Sequence, residues 1–551
     1  MKQCENTSDL WDVRRSTNIA ARLSTCAQTW DLVIAGGGIT GAGIAREAAR
    51  RGLRVLLVER QDFAWGTSSR SSKMVHGGLR YIAQGDIKTT LHSVRERERL
   101  MREAPGLVDQ MPYIMPHYKG RFPGPKIFGL LLMVYDFLAG KRYRKFHNAT
   151  ELSKMLPGLA TEGLLGGTEF ADAVTDDSRL VMRVLHEAIR DGAEVINYAA
   201  VAGVERSDGK VSAVHITDEL TGERITLSTN AVVNATGAWA DVLRAQEGEQ
   251  AQIRPARGSH IVLSAEKLPV PVSLTVLHPQ DQRPIFVYPW EGRTVVGTTD
   301  LDHPDTSNTE ASMTQQELDY LLALLAHQYP DAHITSNDVI SSWAGVRPLV
   351  SSGALNPSKE KRDHSIWDDQ GLVTVSGGKL TTFRLIALDV LNTAKAYLPD
   401  MPDQDDDAAV LAPADTSHPR FSVLTLQQQR RLGGHYGSDL NQLLAEAEDD
   451  ELSEVPGSCA LWAELRWAAA HESVVHLDDL LLRRTRIGLL VEDGGMIFED
   501  RIRAICQPLL AWSDTQWQQE ASRYREIWHQ HYSLPVAETS TTVQPALVRT
   551  A

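Results

Sequence analysis

Residues Asp31 to Glu59 read "DLVIAGGGITGAGIAREAARRGLRVLLVE", and this stretch decides the fold. "DLVIA" is a short apolar run of strand character. A glycine loop follows, then a helical run closed by Gly52, then a second strand, "RVLLVE". Strand, loop, helix and strand in this order form a βαβ unit with a parallel sheet. Gly36, Gly38 and Gly41 stand in G-x-G-x-x-G spacing. The first lets the chain turn tightly after the strand. The second lets the backbone approach a pyrophosphate, and the third lets helix and strand pack closely. The helix N-terminus offers unpaired N–H groups and partial positive charge to that phosphate. Glu59 ends the second strand, placed for ribose hydroxyls, and an acid there repels a 2′-phosphate, which disfavours NADP. Glycine spacing alone fits an ordinary turn as well. The strand–loop–helix–strand context with a terminal acid makes it a dinucleotide signal.

The surrounding chain has 551 residues, enough for several domains, with 42% hydrophobic and 23% charged residues. These are ordinary values for a globular protein with a large core. The net charge of −15 argues against nucleic-acid binding, which needs a basic footprint. Cys4, Cys26, Cys459 and Cys506 are widely separated, with no metal-ligand spacing. They read as reduced thiols, and no metal site is expected. The first thirty residues lack the apolar core of a secretory signal, and no run is apolar enough to span a bilayer.

Residues 1–29 read as an extension and 30–397 as one long α/β region. Residues 398–420, rich in Pro and Asp, read as a linker, 421–535 as a helical domain and 536–551 as a disordered tail. "KTTLHSVRERERLMREA" reads as an exposed helix ended by Pro105, and "PIFVYPWEGRTVVGTTD" as a hairpin with Gly292 in its turn. No internal repeat is found.

FAD and NAD share the glycine fingerprint. In NAD enzymes further βα repeats usually follow it; here "TSSRSSKMVHGGLRYI", Thr67 to Ile82, follows instead. Hydroxyls and amides along a polar extended run can track a long cofactor from pyrophosphate to ring. "VVNATGAWA" adds a strand ending in Ala235, Thr236 and Gly237. "VSGGKLTTFR" places a helix start after Gly377 and Gly378. A helix N-terminus at the flavin edge stabilises the charge of the reduced ring. Each alone is an ordinary loop; together they favour FAD.

With these motifs, and "ARGSHIVL", "SSWAGVRPLV", "KRDHSI" and "LDDLLLRRTRIGLL", the chain resembles the FAD-dependent glycerol-3-phosphate dehydrogenases, the respiratory, membrane-associated kind, over roughly residues 30 to 535. The resemblance implies a glutathione-reductase-like FAD fold with an interleaved antiparallel substrate domain and a C-terminal all-helical cap. It implies hydride transfer from C2 of sn-glycerol 3-phosphate to FAD N5 and passage of electrons to a membrane quinone. Gly36, Gly38, Gly41, Glu59, Ser68, Ser69, Ser72, Lys73, His76, Gly77, Gly78, Ala235, Thr236, Gly237, Gly378, Lys379 and Leu380 would hold FAD. Arg80, Tyr81, His260, Arg347, Arg362 and Lys379 would face the substrate. Arginines suit a phosphate dianion, although singly each fits a surface ion pair equally well. His260 and His76 are the candidate bases, with His260 favoured, and Arg347 joins them as a catalytic candidate. The sequence leaves covalent flavin attachment open through either histidine. Two departures from the family pattern, Arg70 within the serine run and Phe383 where Tyr is frequent, remove no charged substrate ligand. The amino-terminal extension and the acidic linker match nothing in it.

Three other readings stand beside this one: an oxidase using oxygen, an amine or amino-acid oxidase on the same fold, and a flavin-fold binding module without turnover. The oxidase would carry an insertion this chain lacks. The amino-acid oxidase would need a carboxylate clamp. The module should have lost some of Arg80, His260, Arg347 or Lys379. Residues 124–146, "GPKIFGLLLMVYDFLAGKRYRKF", hold an apolar run too short to cross a bilayer, flanked by Lys126 and by Lys141, Arg142, Arg144 and Lys145. The run fits a buried core helix or a contact with a phospholipid surface. The basic flanks, set in a chain of net charge −15, favour the second reading, which expects a protein of the cytoplasm, peripheral on the inner face of the cytoplasmic membrane through 124–146. The oligomeric state is left open, a homodimer included.

Overall fold

The computed structural model describes Leu23, 29–79, 82, 86–248, 250–303, 310–351, 364–403, 405 and 408–535. Of the amino-terminal extension only Leu23 and Thr29 are among them, and the tail after 535 lies outside.

The deciding stretch forms β1 (Leu32–Ala35), α1 (Ile39–Ala49) and β2 (Val55–Val58). Every residue of both strands is buried, as in a parallel sheet covered on both faces. Next come β3 (Met74–Val75), α2 (Ile87–Glu103), β4 (Val108–Tyr118), α3 (Pro125–Ala139), β5 (Lys145–Asn148), β6 (Leu164–Thr175), α4 (Asp177–Arg190) and β7 (Glu194–Ile196). An antiparallel three-stranded sheet follows, from β8 (Ala199–Ser207), β9 (Lys210–Asp218) and β10 (Arg224–Ser228). The chain then makes β11 (Val232–Asn234), β12 (Ile253–Ser264), β13 (Ser273–Leu277), β14 (Pro284–Trp290), β15 (Arg293–Gly297) and β16 (Leu301–Asp302). After α5 (Gln315–Gln328) come β17 (Val339–Val350), β18 (His364–Asp369), β19 (Leu372–Gly377) and α6 (Phe383–Ala394).

Two large sheets result. One has six strands in the order β18-β19-β11-β1-β2-β7, parallel except for β18. Helices α1, α4 and α6 share its core through Ile44, Leu185 and Val390. The other runs β16-β12-β15-β14-β13-β4-β6-β3, with β17 along β12 and β5 on β6. Only its β13–β4 pair is parallel. Its β14–β15 hairpin turns through Glu291 and Gly292, both at positive φ (46° and 78°), the two-residue turn that matches strand twist.

The C-terminal part is helical: α7 (Leu426–Tyr436), α8 (Trp462–His471), a π-helical turn (Asp479–Arg484), α9 (Glu499–Leu510) and α10 (Asp514–His531). Its core runs into the large sheet, with Trp462, Leu480 and Trp517 in one cluster with Tyr288 and Trp343. Buried ion pairs join it to the rest: Arg483 and Arg484 to Asp62, and Arg179 to Glu472.

Three expectations change. Helix α2 is not simply exposed; it buries Ser93, Val94 and Arg97, because Arg97 finds Asp172 inside. The stretch read as a linker is docked where described. Val410 and Leu411 are buried, and the Val410 and Leu411 amides donate to Glu103. Helix α3 is only half a core helix. It buries Phe128, Leu132 and Tyr135 and leaves Ile127, Leu130, Met133, Val134 and Phe137 bare, Phe137 at 84% exposure. No helix among the described residues is long and apolar enough to cross a membrane.

Candidate active site

The carboxyl ends of β1, β2, β11 and β19 open on one cleft with about 1580 Å³ of empty space, its mouth included. Its lining runs past all four strand ends and along residues 65–68, an elongated course that suits a dinucleotide. Parallel sheets bind ligands at this end of their strands. Gly36 leaves β1 at φ +114, and a Cβ there would meet the Ala235 carbonyl at 2.5 Å; only glycine fits. Gly38 begins α1 and brings no side-chain cap of its own; the Ile39 amide goes to Ser68, and the first-turn N–H groups after it face a phosphate. Gly41 lies in α1, packed on the Gly36 carbonyl. Glu59 lines the cleft, its carboxylate accepting from the Gly37 (2.6 Å) and Gln61 (2.8 Å) amides. Burial pushes that carboxyl up, and the amides oppose the shift. Ala235, Thr236, Gly237, Gly378, Lys379 and Leu380 also line the cleft.

The serine run forms the facing wall. Thr67, Ser68 and Ser71 line the cleft, and Ser68 Oγ accepts from the Ile39 amide at 3.0 Å. Ser69 and Lys73 are buried behind this wall, and Ser72 is half-buried. Lys73 Nζ donates to Asp177 Oδ1 (2.9 Å) and the Ser69 carbonyl (3.0 Å), beneath the rings of Trp290 and Trp343. Arg486, from the helical part, donates to the same two oxygens. Burial, then Arg486, lower the Lys73 ammonium to about 8. The sequence places these partners too far apart to be foreseen.

His76 is half-buried, and Gly77 and Gly78 are buried. The His76 amide donates to Thr381 Oγ1 (3.1 Å), and Thr381 Oγ1 donates to the His76 carbonyl (3.2 Å). Thr381 adjoins the cleft-lining Lys379 and Leu380, which puts this segment at that end of the cleft. Lys379 Nζ lies 3.3 Å from Ser93 Oγ.

His260 and Arg347 stand on the paired strands β12 and β17. His260 is opposite Trp343, and their rings stack at 4.7 Å. Alternation along β17 puts Arg347 on the same face as Trp343. The Arg347 guanidinium donates to Asp300 Oδ1 and Thr298 Oγ1, both at 2.9 Å. It folds back over Gly258, where a Cβ would strike it. Gly258 is two residues from His260, roughly 7 Å along the strand. His260 in turn lies over Gly297, its register partner on β15. Two glycines thus make room for the imidazole and the guanidinium side by side. His260 Nε2 is 2.9 Å from Ser72 Oγ. Burial first, then Arg347 and Lys73, hold the imidazole well below its ordinary value, so it is neutral. Pro348, next to Arg347, lines the cleft, and Thr67 Oγ1 donates to the Val346 carbonyl, so strand β17 borders the cofactor wall.

Arg80, Tyr81 and Arg362 lie outside the described residues. Asp300, Trp343 and Thr381 were not singled out in the sequence. Asp300 closes the quoted "VVGTTD", and an acid directly after a hairpin that faces an arginine strand was its available signal.

Residues 31–385 match the family of FAD dependent oxidoreductases, and 411–517 match the C-terminal domain of alpha-glycerophosphate oxidase. The aerobic glycerol-3-phosphate dehydrogenase of Bacillus subtilis is 32% identical over 91% of this chain and 95% of its own. The enzyme of the same name from Staphylococcus haemolyticus is 34% identical over 83% and 87%. The crystal structure of glycerol-3-phosphate dehydrogenase from Bacillus halodurans with FAD superposes with a TM-score of 0.75 at 26% identity, covering 95% of this chain and 98% of that one. L-α-glycerophosphate oxidase from Mycoplasma pneumoniae, at 18% identity and a TM-score of 0.55 over 68% of this chain and 97% of its own, shares the fold. The glycine turn, uncapped helix end, ribose-side acid and hydroxyl wall fit FAD, and FAD is the cofactor. The chain belongs to the FAD-dependent glycerol-3-phosphate dehydrogenase family.

Proposed function

We propose that this chain oxidises sn-glycerol 3-phosphate at C2 to dihydroxyacetone phosphate and passes the electrons to a membrane quinone. The observation that carries the reading is Arg347 beside a neutral, desolvated His260 on one face of β12 and β17. Arg347 binds the phosphate while Asp300 and Thr298 keep its guanidinium in place. Lys379 supplies a second cation, and Arg80, Tyr81 and Arg362 complete the substrate contacts. When bound, FAD supplies the hydride acceptor, N5. Proton removal falls to His260 acting from behind Ser72: the Ser72 hydroxyl takes the C2 hydroxyl proton as it gives its own to His260 Nε2. A phosphate dianion on Arg347 offsets that guanidinium's repulsion, the smaller cause after burial of the lowered imidazole, so the base strengthens when substrate is present. His76 and its two glycines hold the ring end of FAD.

Quinone is the acceptor in this reading because α3 presents a bare apolar face to its surroundings. Ile127, Leu130, Met133, Val134 and Phe137 recur three or four residues apart, as in a helix lying in a lipid surface on the inner side of the cytoplasmic membrane. The adjoining cations contribute less than their number suggests, since Lys141 pairs with Glu98 and Arg144 with Asp136. The anchor is therefore chiefly apolar. In liposomes holding a quinone, the protein should float with the vesicles and reduce the quinone when given glycerol 3-phosphate. Leu130→Glu with Phe137→Glu should abolish flotation and quinone turnover yet keep activity with a soluble dye. Flotation that survives this change removes α3 as the anchor. Rapid turnover on oxygen without quinone reduction favours the oxidase reading.

A further inference from the structure

Asp172 of β6 is buried, and one of its carboxylate oxygens, Oδ1, accepts three hydrogen bonds. They come from the Gly77 amide (2.8 Å), Arg97 Nη1 of α2 (2.6 Å) and the Tyr135 hydroxyl of α3 (2.6 Å). Arg97 closes the group by donating also to the Tyr135 hydroxyl (2.7 Å) and the Ala171 carbonyl (3.1 Å). Gly77 is packed so tightly that a Cβ would strike the Tyr135 hydroxyl. On its other side His76 exchanges two hydrogen bonds with Thr381, beside the cleft-lining Leu380. The 76–77 segment is thus gripped from both sides, by a threonine on the cleft and by a carboxylate in the sheet.

This carboxylate is not needed to satisfy an ordinary strand contact. Its charge is met by a buried arginine, and its remaining capacity goes to one backbone amide and one phenol. Charge-assisted hydrogen bonds are shorter and stronger than neutral ones, so the amide they fix has little freedom. The phenol comes from the inner face of α3, whose outer face is bare.

We propose that Asp172 is a positioning residue of the flavin site, which sets the His76–Gly77 backbone against the ring, and that Tyr135 completes its grip and so makes α3 part of that site. The proposal rests on the reading that residues 76–78 meet the flavin ring.

The test uses Asp172→Asn and Tyr135→Phe in the full-length FAD-loaded protein. Turnover per bound flavin, KM for glycerol 3-phosphate, FAD retention, melting temperature and the potential of the bound flavin are measured beside the unchanged protein. Loss of a hydrogen bond to a charged group should lower kcat per flavin by on the order of tenfold in Tyr135→Phe, and by up to ~100-fold in Asp172→Asn, where the backbone itself shifts. KM and FAD retention should stay within about twofold of the unchanged protein, far less than the ~100-fold a displaced reacting geometry costs, and the flavin potential should move in both variants. A merely structural role would lower the melting temperature and leave kcat per flavin and potential alone, and that result overturns the proposal. If Asp172→Asn does not fold, Tyr135→Phe, which keeps the ring volume, decides by the same readouts. An unchanged protein that glycerol 3-phosphate cannot reduce would refute the proposed substrate. The potentials, set by dye titration without substrate, still decide the role of Asp172.

Discussion

Arg347→Ala is expected to keep its bound FAD and lose most of its kcat/KM for glycerol 3-phosphate. A buried dianion deprived of a bidentate guanidinium loses about 2–5 kcal/mol, which is roughly 30-fold to several thousand-fold in kcat/KM. The fold should tolerate the change. Asp300, the carboxylate Arg347 leaves behind, is still paired with Arg283 at 2.9 Å, so no uncompensated buried charge arises. The cofactor wall does not depend on the guanidinium, which lies over Gly258 on the sheet. Steady-state kinetics with the flavin spectrum as control check this. Near-normal kcat/KM would remove Arg347 from the substrate site and with it the argument for a phosphate.

The second large effect concerns stability. Asp62 is fully buried and accepts from Arg483 Nε (2.6 Å), from Arg484 Nη1 and Nη2 (2.7 Å each) and from Asn197 Nδ2 (3.0 Å). Burial alone would raise its carboxyl, but Arg484 and Arg483 hold it below the ordinary carboxylate range. Asp62→Ala removes the carboxylate that two guanidinium groups share at the seam between the FAD-binding core and the helical part. Breaking a buried pair in this way costs about 3–5 kcal/mol. Arg483 keeps Asp478 and Asp479, which places the expected loss toward the lower end. The denaturation midpoint in urea, measured at constant FAD, should fall accordingly, whereas an unchanged midpoint would mean that the seam is held by its apolar contacts alone. The pH sign follows from the depressed pKa. The contribution of Asp62 is fully present above the unfolded carboxyl's value of about 3.9, and it is lost as pH falls through the lower folded value.

What the sequence makes legible here is local backbone chemistry. The glycine turn, Glu59 at the strand end and the Glu291–Gly292 hairpin each depend on a few neighbouring residues, and the structure places them where their spacing indicates. What it hides depends on register between distant strands. Nothing near His260 announces that Gly258 and Gly297 clear the floor for Arg347 and the imidazole. That arrangement exists only once β12 lies between β15 and β17. The surroundings of Lys73 are hidden for the same reason: Asp177 and Arg486 converge on it from remote parts of the chain. Helix α2 reads as solvent-facing because its buried residues include Ser93 and Arg97, polar groups that go inside only with partners the local pattern does not reveal. The docked stretch at Val410 and Leu411 was masked by the Asp-rich composition before it.

A phosphate-bearing secondary alcohol, and no amino acid, is expected to reduce the flavin of this cleft. Anaerobic titration of the purified yellow protein tests it directly. Glycerol 3-phosphate should bleach the oxidised flavin band to completion at one equivalent per bound FAD, while glycerol and glycine leave the band intact. Bleaching by glycine with none by glycerol 3-phosphate would contradict the account.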